Sequence, residues 1–135
     1  MMNQKKRVPL VTGHAEDFHV GILKNNLQSF RAMVGRAPGV YVRYNHQDPY
    51  YVGLASSMRS RLSDHLKDRL RGKWDRFSFF EIKKKKYLKD VESLLIRAAK
   101  TKGKGNKRTP DFAEHRNIKA AIKAEMKPFA FEMQR

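Results

Sequence analysis

Apolar and polar positions along this chain follow two periods, and the switches between them mark its elements. Val20, Leu23, Leu27, Phe30 and Val34 recur at three- and four-residue steps, the signature of one face of a helix, which is predicted over 14–34. Gly35, Pro38 and Gly39 end it. Residues 40–44 are a dense run of strand formers, 45–49 are rich in turn formers, and Tyr50-Tyr51-Val52 returns before Gly53, so a hairpin is expected. Met58, Leu62, Leu66 and Leu70 stand four apart on a helix predicted over 57–70, with Gly72 as its C-cap. Residues 74–82, with Phe77-Ser78-Phe79-Phe80 at their centre, read as a third strand. Leu88, Val91, Leu95 and Ala98 make the inner face of a helix over 87–100, which Gly103 and Gly105 break. A last helix is predicted over 111–127, with Asp111 as N-cap and Ile118, Ile122 and Met126 inward. Beyond Pro128 the alternation Phe129 to Met133 fits a short edge strand or a docked tail.

This order predicts an α+β domain: a three-stranded antiparallel sheet flanked by helices, with an N-terminal helix and a C-terminal helical tail. Residues 1–38 are a basic arm and the N-terminal helix, 39–107 the core, and 108–135 a C-terminal helix and tail packed on that core. A length of 135 residues suits this single compact unit.

Charge changes the picture. Thirty Lys and Arg stand against thirteen Asp and Glu, a formal net charge of +17. Such a surplus repels itself in a compact state, and a polyanionic partner explains it better than an anionic membrane surface or mere solvation. Nucleic acid, DNA above all, is the expected partner. The densest runs are Lys83 to Lys86 and the stretch from Lys100 to Arg108. The absence of Cys excludes disulfides, thiolate zinc sites and cysteine nucleophiles. No apolar run approaches a membrane span, and no hydrophobic signal region follows the basic Met1 to Arg7, so a cytoplasmic protein is expected. The five His lack the paired spacing of a zinc helix, no Gly-rich phosphate loop follows a strand, and Ser56 and Ser57 sit in no nucleophile elbow.

The remaining chemistry gathers around the hairpin. Gly39-Val40-Tyr41 opens its first strand and Tyr51-Val52-Gly53 ends its second, so these two ends can come close on one side of the sheet. Arg61 and His65 are four apart and share a helical face. Glu92 lies between the apolar positions Val91 and Leu95, either capping the apolar edge or pointing into a shared cleft.

These residues resemble the signature of the GIY-YIG nuclease family. Gly39-Val40-Tyr41 and Tyr51-Val52-Gly53 match its two halves at the family separation of about ten residues, with Val in place of Ile at 40 and 52. Seven residues separate Gly53 from Arg61-Leu62, and two separate Leu62 from His65, as in the family pattern. Glu92-Ser93-Leu94-Leu95-Ile96 matches its acidic segment, and Asn106 stands near its terminal Asn, with Asn117 a weaker rival. The approach to Asn106 is Gly-Lys-Gly rather than the family's Pro-containing one. The resemblance covers 39–107 and implies a metal-dependent endonuclease that hydrolyses phosphodiester bonds in DNA. It further implies that Glu92 holds Mg²⁺ or Mn²⁺ and Arg61 meets the scissile phosphate. Tyr41 or Tyr51 would handle the attacking water, with His65 assisting and Asn106 completing the site. Two other readings stay open: a catalytically silent nucleic-acid-binding module, and an RNA-associated protein using its basic tail.

Overall fold

The computed structural model describes residues 7–34, 36–58, 60–61 and 72–125. Its sheet has four antiparallel strands, not three: β1 (Gly13–His19), β2 (Gly39–Asn45), β3 (Asp48–Ala55) and β4 (Arg76–Glu81), in the order β1-β4-β2-β3. The helices are α1 (Val20–Asn25), α2 (Leu27–Val34), α3 (Leu88–Ala99) and α4 (Ile118–Glu125), so the fold is α+β.

The added strand comes from the segment predicted as the start of the N-terminal helix. The helical spacing begins at Val20, and extending it back to His14 had only Ala15 and Phe18 to support it, with Glu16 and Asp17 between them. What makes 13–19 a strand is the free edge of β4, against which Gly13 aligns with Glu81 and His19 with Arg76. A bulge between Ala15 and Phe18 contains Asp17 at φ 60° and turns Phe18 into the core. His19 then caps α1, its Nδ1 accepting from Gly21 N at 2.9 Å. Asn26 divides the predicted helix into two, its side chain donating to Ile22 O at 3.0 Å.

The hairpin of β2 and β3 forms as expected and runs further, to Ala55, around a turn at His46 and Gln47. Its two faces carry separate cores. On one, Tyr41, Phe77, Phe79, Ala55, Met58 and Trp74 are buried against Leu23 of α1, with Phe18 and Phe30 packed edge to face at 5.0 Å. On the other, Val40, Val42, Val52 and Ile82 meet Leu88 and Ile96 of α3.

Three smaller expectations are corrected. In α3 Leu88, Ser93 and Ile96 are buried and Val91 and Leu95 pack half-buried against the same core as expected, while Ala98 is exposed. A single 3₁₀ turn, Lys85–Tyr87, precedes it, and Lys100 ends it at φ 57°. The C-terminal helix is shorter than predicted: Asn117, not Asp111, caps it, its Oδ1 accepting from Ala120 N, and Ile118 and Ile122 are exposed. Residues 58, 60 and 61 are helical after β3, whereas Leu62, Leu66, Leu70, Met126 and the 129–133 alternation lie outside the described residues. Among the described residues, no helix is long and apolar enough to cross a membrane.

Candidate active site

Strand periodicity puts Tyr41 and Arg43 on one face of β2, and the register sets Tyr41 opposite Gly53 and Arg43 opposite Tyr51. The two tyrosines are therefore diagonal neighbours. Their ring centroids lie 6.0 Å apart, tilted by 33°, and a hydrogen bond joins the side chains. Gly53 is what lets them meet: a Cβ built there would stand 2.3 Å from the Tyr41 hydroxyl oxygen and 2.8 Å from the Tyr51 ring. Gly39 is equally constrained, with the Phe80 carbonyl oxygen 2.3 Å from its Cβ position. Both signature glycines are thus close-approach positions.

The tyrosines differ in setting. Tyr41 is 3% exposed, and burial, aided by its bond to Tyr51, pushes its phenol far above the ordinary range against the opposing pull of Arg43 and Arg61. It is protonated at neutral pH. Tyr51 is only half-buried and lines a polar groove of about 630 Å³.

That groove also receives Glu92 from α3, together with Lys89, Asn106, Lys107 and Arg108. Burial raises the Glu92 carboxyl above its usual range, and Lys89 opposes the shift. The 101–106 loop builds the groove by pairing with the outer edge of β3. Gly105 N donates to Tyr50 O at 2.8 Å. The Asn106 side chain then acts as a strand substitute: its Oδ1 accepts from Val52 N and its Nδ2 donates to Val52 O, both at 2.8 Å. Thr101, fully buried, donates to the same Oδ1 at 2.7 Å. Asn106 thereby shapes the site and satisfies the sheet edge, its amide oxygen and nitrogen both engaged within the protein. Its rival Asn117 is a helix cap, exposed to solvent.

Arg61 is exposed on the helical turn after β3, its N donating to Ser57 O, and its charge acts on Tyr41. His65 lies outside the described residues. The structure therefore brings Tyr41 and Tyr51 into one pair, Tyr51 and Glu92 into one groove, and Asn106 beneath them.

Lys107 and Arg108, at the end of the basic run that the sequence reading singled out, line the groove. Arg43 is absent from that reading as a site residue; it is 2% exposed, and its guanidinium carbon lies 4.6 Å from the Tyr51 ring centroid, 5.5 Å from Trp74 and 5.7 Å from Tyr41. Its signal was in the sequence: a cation two residues from Tyr41 within an apolar strand shares that face.

Other cavities of similar size lie elsewhere among the described residues, and two of them are mainly apolar. One, of about 680 Å³, lies between Val8 to Leu10 and α3; the other, of about 590 Å³, lies between β1 and α2. The first also carries Lys84, Tyr87 and Asp90 and the second His14 and Glu81, but the polar groove alone of the three gathers Tyr51, Glu92 and Asn106 of the sequence pattern beside Lys89, Lys107 and Arg108, which is why it is the candidate. No protein-family model, curated protein or solved structure shows significant similarity to the chain.

Proposed function

We propose that the chain is a metal-dependent endonuclease that hydrolyses DNA phosphodiesters with a GIY-YIG-like site. The observation that carries this reading is the groove itself: Tyr51 and Glu92, far apart in sequence, line one cavity rimmed by Lys89, Lys107 and Arg108. Cations at the rim suit a phosphodiester backbone, and the carboxylate and phenol within supply the groups that hydrolysis requires.

The donor set fits a hard divalent ion. Glu92 is held partly out of water, where its ionised form is disfavoured, and a cation beside it reverses that preference. A single carboxylate suits Mg²⁺, or Mn²⁺ in its place, because such ions retain much of their water. When bound, the ion would stabilise charge on the phosphoryl oxygens and polarise water. Glu92 is the residue that would hold it.

The chain's own groups divide the remaining work. Tyr41 stays protonated and holds Tyr51 through their hydrogen bond. Tyr51, facing the groove, would orient the attacking water through its hydroxyl, the water's proton leaving to solvent. Arg61 presents a permanent cation to the phosphate, bidentate where geometry permits. Asn106 keeps the groove's wall in register with β3.

Plasmid nicking with Mg²⁺, with Mn²⁺ and with EDTA tests the reading. The wild-type protein should cut only with metal, Glu92→Gln should not cut while binding DNA as well or better, and Arg61→Ala should lose about 10²–10³ in rate. Metal-dependent cleavage by Glu92→Gln at the wild-type rate would remove the proposed site. Tight DNA binding with no cleavage under any condition would instead favour a silent binding module.

A further inference from the structure

We propose that Arg43 is a positioning residue for the tyrosine pair: its guanidinium, packed among the rings of Tyr51, Trp74 and Tyr41, sets the Tyr51 ring in the groove wall. The catalytic consequence rests on the phosphodiesterase reading above; the positioning itself does not.

The placement argues for more than core filling. A buried guanidinium is costly, and an apolar side chain of similar size would serve a purely structural position at least as well. Here the cation is 2% exposed and closest to the one tyrosine that opens on the groove, at 4.6 Å from its ring centroid. Trp74, the chain's single tryptophan, backs it at 5.5 Å and Tyr41 at 5.7 Å. Register makes the contact obligatory, because Arg43 and Tyr51 are directly opposed on β2 and β3. A planar cation facing a ring restricts its rotation and in-plane slide, and Tyr41 hydrogen-bonds the same side chain. The Tyr51 ring is thus constrained by the guanidinium and through Tyr41. Fixing the ring fixes where its hydroxyl meets a water or phosphate in the groove. Geometry of that kind controls turnover more than affinity.

Two variants separate charge from planarity. Arg43→Lys keeps the cation and the aliphatic stem but loses the flat fork; Arg43→Gln keeps a planar end and loses the charge. NMR of ring-labelled tyrosine should show the Tyr51 ring flipping faster in Arg43→Lys than in the wild-type protein, with altered Trp74 emission. The kcat for Mg²⁺-dependent cleavage should fall by about 10²-fold, with KM and metal-free DNA affinity unchanged. Arg43→Gln should recover part of the slow ring flipping. If this neutral variant does not fold, the lysine variant alone decides. Unchanged Tyr51 dynamics in a folded Arg43→Lys protein would overturn the proposal, as would a loss expressed in KM alone. A wild-type protein that never cuts DNA would refute the nuclease reading, while the ring dynamics would still judge Arg43.

Discussion

At the scale of single residues, Glu92 and Asn106 make opposite predictions. Burial raises the Glu92 carboxyl, so folding favours its protonated form. The stability linked to this group is therefore complete in acid, below the unfolded carboxyl's range. It is lost as pH rises through the higher value of the folded protein. Near neutral pH the ionised group is a liability that Glu92→Gln removes. In EDTA the variant's Tm should equal or exceed the wild-type Tm, the gap widening from acid to neutral pH. Mg²⁺ should then raise the Tm of the wild-type protein only. A variant that melts lower in EDTA would show that Glu92 makes a stabilising ion pair instead. Asn106→Ala removes three hydrogen bonds at once and strands the buried Val52 amide and carbonyl and the Thr101 hydroxyl. Each orphaned group costs roughly 1–3 kcal/mol, so denaturant unfolding should report a loss above about 2 kcal/mol. An unchanged unfolding midpoint with abolished cleavage would return Asn106 to a purely catalytic role. The sequence alone made Asn106 a candidate by position; its bonds to Val52 were invisible because they span 54 residues.

At the scale of elements, legibility follows sequence separation. The β2–β3 hairpin was readable because both strands and the turn between them are contiguous, and the Gly-x-Tyr and Tyr-x-Gly pattern lies wholly within it. Helix α3 was readable from its apolar spacing to within a residue at each end. Strand β1 was not, because its partner β4 lies more than fifty residues away and its own sequence, Gly-His-Ala-Glu-Asp-Phe-His, carries a bulge that breaks alternation. C-terminal helix α4 was overextended because Asp111 has the composition of a cap without making one. The aromatic run of β4 fares better under inspection. Phe77 and Phe79 are 4% and 5% exposed on a strand flanked on both sides by β1 and β2. Phe79→Ala should therefore cost about 3–5 kcal/mol in denaturant unfolding. An unaltered midpoint with weaker single-strand binding would make Phe79 a base-stacking residue instead. Gly53→Ala belongs to the same element logic. Its new methyl would collide with Tyr41, costing about 1–3 kcal/mol and parting the tyrosine pair, which Tyr NMR would register.

At the scale of the whole molecule, charge decides how a nucleic acid would be held. The surplus of +17 meets few internal acids, and the cations of the 83–86 run and of 107–108 are exposed. The first run leads into α3, whose Glu92 lies in the groove, while Lys107 and Arg108 line that groove directly. A backbone crossing the groove would replace condensed counterions at each cation it meets, and every release adds to the salt dependence. With about six phosphates engaged, the slope of log affinity against log salt should be about −5. Replacing Lys107 and Arg108 together by Ala should make that slope shallower by about two, because two phosphate contacts vanish. It should do so about equally on different duplex sequences, since a phosphate contact carries no base information. Glu92→Gln should leave the slope where it is, because it deletes no cation, even as it prevents cleavage. Fluorescence anisotropy with labelled duplex across a salt series, in EDTA, measures all three proteins with divalent metal withheld. A wild-type slope near zero would remove nucleic acid as the principal partner. A double variant that kept the full slope would move the path of the backbone away from the Glu92 groove.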